Sequence, residues 1–316
     1  MSDLESSPTL DSCPCEAAAA ALVEAIPALR TDLGGLPVRR LLPRSRRRLV
    51  GPWCFLDSFG PIRFTAGKPM DVPPHPHIGL QTVSWLLEGE VLHNDSLGRT
   101  GLARPGALNL MTAGSGIAHS EETPPGSSGL LQGLQLWVAL PDARRNEAPS
   151  FERHEQLPVV SLPGGEATVF VGRLGEGRSP ATVFSPIVGA DLSATPRSRL
   201  VVPVEPPFEH ALVLLRGTAV LDEEPLAADT LYYLGTRRSE ISLLSGDEGA
   251  RLLLIGGAPL GETILMWWNF VARTSDEIAG ARDDWESGRR FGKVDAYRGE
   301  RLGAPPLVAR PVRPTP

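Results

Sequence analysis

Three of the six histidines in the 316-residue chain fall into two short motifs, His75-Pro76-His77 and His119-Ser120-Glu121. In each motif the outer members stand two residues apart. Successive side chains of a β-strand point to opposite faces, so an i, i+2 pair aims both groups to the same side. Strands carrying the two motifs into one interior would bring three imidazoles and one carboxylate to a single point. Neutral imidazole with carboxylate suits Fe, Mn, Ni, Cu or Zn, and four such ligands leave two positions for substrate and oxygen. A lone histidine in a strand is ordinarily a hydrogen-bonded structural residue. Two independent pairs weigh the other way, because burying three histidines and a glutamate with no metal carries a large desolvation cost. His210 stands alone in sequence and is expected to be structural.

The elements around these motifs read as β-structure. Gln81 to Leu87 is an apolar-rich strand, Glu88-Gly89 a turn, and Val91 onward is expected to pair back on it as a hairpin. Pro105-Gly106 is the next turn, followed by a strand over Ala107 to Thr112. Leu134, Leu136, Val138 and Leu140 alternate along one strand, the period-two pattern of a sheet with one buried face. The second half repeats the rhythm. Leu214-Leu215-Arg216-Gly217 echoes Leu86-Leu87-Glu88-Gly89 at an offset of 128 positions, and Leu226 to Gly235 echoes Ala107 to Gly114. Matching segments in the same order argue for two copies of one β-barrel. Gly and Pro make up about a fifth of the chain without collagen period, as many short strands and turns require.

The resulting division is an N-terminal tail over 1–32 with a short helix across Glu16 to Ile26, a metal-binding barrel over 33–150, a metal-free barrel over 163–290 and a tail over 291–316. Carrying the histidine positions into the second barrel by the repeat offset lands on Pro203 and Glu205, and near Ser242 and Leu244, so no histidine of the set is retained there. Near the end, Thr274 with Glu277 has the form of a capping box, and Ile278, Ala281 and Trp285 share one helical face.

Composition narrows the function. The net charge of −6 gives no electrostatic footprint for nucleic acid, and no direct nucleic-acid binding is expected. No apolar run is long enough for a membrane span, and Asp3 and Glu5 stand where a secretory leader needs positive charge. Arg39, Arg40, Arg44, Arg46, Arg47 and Arg48 form a basic cluster, expected to be a solvated strand face with arginine stems on apolar surface. Cys13 and Cys15 are expected as tail thiols, and three cysteines without zinc spacing point to a reducing cytoplasm.

The segment PHPHIGLQTVSWLLEGEVLHNDSLGRTGLARPGALNLMTAGSGIAHSE resembles the signature of the pirin family of the cupin superfamily. GPWCFLDSFGP before it and DDWESGRRFG near the end are similar to that family's opening motif and closing helix, so the likeness runs from about Leu33 to Gly292. It implies an all-β fold of two tandem cupin, jelly-roll-type barrels with a short C-terminal helix. It places the metal in the first barrel on His75, His77, His119 and Glu121, with Fe(II) as the metal and Mn, Ni, Cu, Co or Zn as alternatives. Gln81, where many cupins have glutamate, is expected to tune the centre from behind the ligands, and His93 and Asp95 to hydrogen-bond at the barrel mouth. The activity implied is that of quercetin 2,3-dioxygenase: O2 opens the ring of a small aromatic, flavonol-like substrate and carbon monoxide is released. Glu121 then accepts the 3-hydroxyl proton, and apolar walls such as Trp85 and Leu110 sandwich the flat ligand. The resemblance leaves two alternatives open, a non-enzymatic iron-binding regulator that meets a protein partner, and a cupin isomerase or decarboxylase.

Overall fold

In the computed structural model, which describes residue 8 and residues 10–13, 23–33, 36–64 and 71–307, the strand Leu130–Ala139 lies at the centre of a seven-stranded antiparallel sheet. The order across it is Ser150–His154, Leu108–Thr112, Leu80–Glu88, Leu130–Ala139, Trp53–Arg63, Leu36–Leu42 and Leu29–Leu33. Facing it is a four-stranded sheet in the order Asp71–His77, Ile117–Glu122, Val91–Asp95 and Thr100–Ala103. The two sheets enclose the first barrel.

The expected hairpin after Gly89 does not form. Val91–Asp95 pairs with Ile117–Glu122 and Thr100–Ala103, in the opposite sheet. Gly89 makes the crossing possible: its φ is +80°, and a β-carbon there would stand 2.0 Å from the carbonyl oxygen of Leu130. Gly217, its echo in the second half, has φ +77° and an equally close carbonyl, that of Gly249. The internal repeat is therefore one of backbone geometry as well as of residue type.

The second barrel is built on a ten-stranded antiparallel run centred on Ile187–Ala194, Glu240–Gly257 and Glu209–Leu221. Its strand Arg199–Pro203 pairs with the start of Glu240–Gly257, as Asp71–His77 pairs with Ile117–Glu122 in the first barrel. Where the first barrel carries histidines, these strands bury Leu200, Val202, Ile241 and Leu243 in an aliphatic core.

The two barrels pack through the outer face of the seven-stranded sheet. Leu134, Leu136 and Val138 meet Phe170, Val171, Ile187, Val213 and Ile255 of the second barrel in one buried cluster. Trp85 and Leu110 belong to that same cluster. The face marked by the alternation is thus the seam between barrels, and its strands read as strongly apolar because a whole barrel covers them.

Both ends of the chain cross over. Glu24–Pro27 pairs with Thr230–Gly235 of the second barrel, so the described part of the expected Glu16–Ile26 helix is a strand, its pairing overriding local helix propensity. Residues 16–22 lie outside the described residues. Asp11–Cys13 pairs with Ile264–Trp267, and this buries Cys13 instead of leaving it a tail thiol. After the second barrel the chain returns to the first. Phe270 bridges to Ile78, and helix Ser275–Glu286, with its capping box on Thr274 and Glu277, buries Ile278, Ala281 and Trp285 against Ile78 and Ala118. Those two residues immediately adjoin His77 and His119 in sequence, so the C-terminal segment backs the histidine strands.

Arg46 is exposed, but four of the six clustered arginines do not lie on a freely solvated face. Arg40 is buried with both carboxylate oxygens of Asp57 at 3.0 and 3.1 Å, and Arg47 lies 3.8 Å over the ring of Tyr233. Arg39 pairs with Asp229 and Arg48 with Asp11. Strand pairing and the crossing N-terminal arm bring these acids and rings to the arginines, contacts that local sequence does not display.

Candidate metal centre

Strand Asp71–His77 is the edge of the four-stranded sheet, the one place where its run of prolines is tolerated, since proline cannot donate to a ladder. The register pairs His75 with His119, then slips between His119 and Glu121. Pro73 and Pro74 occupy the slip, and their carbonyls are used elsewhere: that of Pro73 accepts from His75 Nδ1 at 2.8 Å, and that of Pro74 accepts from the amide of Leu302. His77 Nδ1 donates to the carbonyl of Asn269 at 3.1 Å, in the turn between Ile264–Trp267 and Phe270–Ala272.

His75, His77 and His119 are buried, and their ligand atoms all lie within 4.8 Å of one another. The hydrogen bonds fix the tautomers. His75 and His77 spend their protons on carbonyls through Nδ1, which leaves each Nε2 a bare lone pair. Asp95 accepts from the amides of Leu97 and Arg99 through Oδ1, and from His93 Nε2 at 3.2 Å through Oδ2. His93 Nδ1 is then an acceptor, 3.1 Å from His119 Nδ1, so His119 also carries its proton on Nδ1 and turns Nε2 inward. His77 Nε2 and His119 Nε2 face each other at 3.1 Å, and His75 Nε2 is buried with no hydrogen-bond partner among the described residues. Three converging lone pairs with no proton among them repel each other unless a cation stands between. The donor set therefore suits a metal ion.

Burial also keeps the imidazoles neutral. It holds His75 down at about 3 and pushes His77 and His119 well below the ordinary imidazole range, neighbouring imidazoles adding to the effect in both. His93 is lowered as well, against the pull of Asp95.

Glu121 is buried and pairs directly with His93 across the strands, so the two share the inward face. Its carboxylate stands outside the three-histidine cluster. Gln81 is not beside the histidines: it donates to Thr112 Oγ1 and to the carbonyl of Thr182, on the seam side of the sheet. Trp85 and Leu110 do not wall the metal barrel either. Trp85 stacks on Phe170 at 4.9 Å and donates from Nε1 to Asp191 of the second barrel at 2.8 Å. The rings against the histidines are Trp137, 5.3 Å from His77, and Phe151, stacked 4.3 Å from His93. A cavity of about 780 Å³ is lined by second-barrel residues such as Phe208, Ile187 and Arg178, and has none of the histidines in its wall.

Two antiparallel β-barrels in tandem, the first with a three-histidine group suited to a metal ion, define a bicupin. The chain belongs to the pirin family: the Pirin model matches residues 35–138, and the model of the pirin C-terminal cupin domain matches residues 189–292. A Pseudomonas aeruginosa protein with the provisional name quercetin 2,3-dioxygenase is 47% identical over 275 residues, 87% of either chain. A pirin-like protein of Caulobacter vibrioides is 38% identical, over 83% of this chain and 92% of that one. Among solved structures, a quercetin 2,3-dioxygenase from Acinetobacter baumannii superposes with a TM-score of 0.87 at 44% identity, covering 91% of this chain and 96% of that one.

Proposed function

We propose that the first barrel holds one divalent metal, Fe(II) in our reading, on His75, His77 and His119 with Glu121 as the carboxylate beside them, and that it opens the ring of a flavonol-like substrate with O2. The observation that carries this reading is the convergence of three unprotonated Nε2 atoms in a buried site. The quercetin 2,3-dioxygenase names of the 47% and 44% identical proteins support the substrate class. A metal bound there supplies Lewis acidity toward the substrate's 3-oxygen and a site for O2. The chain supplies the rest. Pro73, Asn269 and His93 hold the three imidazoles in their ligating tautomer. Glu121 takes the 3-hydroxyl proton as general base. Trp137 and Phe151 keep water from the imidazole faces. The free, buried thiols Cys13 and Cys54 agree with a reducing cytoplasm as the working compartment. No helix among the described residues is long and apolar enough to cross a membrane.

Oxygen uptake with quercetin on the metal-loaded protein tests the reading. Uptake of O2 with release of carbon monoxide is expected. Full metal occupancy with no uptake for any flavonol would overturn it in favour of a metal-sensing protein that acts through a partner.

A further inference from the structure

Across the seven-stranded sheet the register draws one continuous polar line. Arg40 lies opposite Asp57, Asp57 opposite Gln135, Gln135 opposite Ser84, Ser84 opposite Asn109, and Asn109 opposite Arg153. Directly opposed residues of antiparallel strands share a face. This face is the barrel interior, since the alternate residues Leu136, Val83 and Leu110 fill the seam between barrels.

The line looks across at the histidine sheet. A β-carbon on Gly101 would stand 2.5 Å from Phe151 Cζ and 3.6 Å from Asn109 Nδ2. Arg153 Nε donates to the carbonyl of Leu102, next along that strand. Gly101, His93 and Glu121 are themselves opposed across three strands. The amide of Asn109 therefore faces the row that contains the proposed base.

A polar line inside a barrel is costly unless satisfied, and this one is satisfied only in part. Asp57 is taken by Arg40, and Gln135 Oε1 accepts from Ser84 Oγ at 2.9 Å. Gln135 Nε2 and both amide atoms of Asn109 are buried with no partner among the described residues, as is Trp137 Nε1 in the next row, against His77. An unmet buried donor or acceptor costs roughly 1–3 kcal/mol, so four such atoms at one wall call for a ligand that meets them.

We infer that Asn109 and Gln135 are specificity-determining residues. They read ring hydroxyls of the substrate from the wall opposite the metal, while the 3-hydroxyl and 4-carbonyl edge lies toward the histidines and Glu121. Gln135 Nε2, Trp137 Nε1 and Asn109 Nδ2 ask for oxygen acceptors, and Asn109 Oδ1 asks for a donor. A polyhydroxylated aromatic offers both, whereas an unsubstituted ring offers neither. This inference rests on the flavonol reading above.

The test compares quercetin with 3-hydroxyflavone, which retains the metal-directed edge and lacks the other hydroxyls. Affinities are measured without oxygen on metal-loaded protein. The wild type is expected to favour quercetin by at least about tenfold. In Asn109→Leu and Gln135→Leu, quercetin affinity should fall about tenfold each while 3-hydroxyflavone affinity and bound metal stay unchanged. Melting temperature of ligand-free Asn109→Leu should hold or rise, because both of its unmet amide atoms are removed; a purely structural role would lower it. If a leucine variant fails to fold, Asn109→Ala or Gln135→Met removes the same donor without burying a charge and carries the same affinity expectation. Variants that favour quercetin as strongly as the wild type would overturn the inference alone. A metal-loaded wild type that binds neither compound would overturn the flavonol reading, and this inference with it.

Discussion

His93 Nδ1 stands 3.1 Å from His119 Nδ1, and that contact decides which nitrogen of His119 faces the cluster. Because Asp95 holds the proton of His93 on Nε2, His119 must present Nε2 inward. His93→Phe retains the stack on Phe151 and removes both nitrogens. Loss of such a brace commonly weakens metal binding about ten- to a hundred-fold, and that loss is expected here, measured by chelator competition. Unchanged affinity would mean that His119 is oriented by its strand alone.

Glu121→Gln separates proton acceptance from metal retention. The variant retains side-chain length and one carbonyl oxygen, so the three histidines should still hold the ion, though more weakly. Removing a general base costs on the order of a hundred- to ten-thousand-fold in rate. Turnover per bound metal is therefore expected to fall at least about a hundred-fold with flavonol binding retained, and to recover in part at higher pH, where more flavonolate is present. Wild-type turnover in the variant would remove Glu121 from the proton step.

Trp85→Phe tests the seam. The stack on Phe170 survives, but the bond from Nε1 to Asp191 is lost, leaving Asp191 to Arg251 alone. A lost bond to a buried charged acceptor costs about 1.5–3 kcal/mol, which urea denaturation should show. Metal content should be unaffected. A drop in metal content would place Trp85 nearer the centre than its contacts do.

His210 makes stability depend on pH. Burial pushes it down to about 4, with Arg238 adding to the effect, and neither ring nitrogen has a hydrogen-bond partner among the described residues. An unfolded imidazole titrates near about 6.5, so below that the unfolded chain binds a proton that the folded chain refuses. Its contribution is fully present above about 6.5 and is lost as pH falls through the folded value. Between about pH 7 and about pH 4.5 the wild type should lose about 2–3 kcal/mol more than His210→Leu, read by urea denaturation at both pH values. Equal losses in the two proteins would show that His210 takes up its proton without unfolding.

The histidine motifs were legible because strand alternation is local: i, i+2 spacing fixes a shared face before any partner is known. What the face looks onto is not local. Leu134, Leu136 and Val138 announce a buried face, and burial against a second barrel produces the same pattern as burial in a lumen. The resemblance therefore puts Trp85 and Leu110 in the substrate wall, whereas the lumen line is the polar set Asp57, Gln135 and Asn109. Gly89 marks a turn whether the chain folds back or changes sheets, and only pairing decides. The carbonyl of Asn269, which holds His77 from 192 residues away, has no side-chain signal at all.

Elemental analysis of protein purified without chelator tests the metal assignment most directly, on the wild type, His119→Ala and His210→Ala side by side. His119 contributes an inward Nε2 to the cluster, whereas His210 sits in the second barrel, where aliphatic residues occupy the equivalent strands. About one ion per chain is expected in the wild type and in His210→Ala, with a sharp fall in His119→Ala. Equal metal loss in both variants, or full occupancy in His119→Ala, would contradict a centre built on His75, His77 and His119.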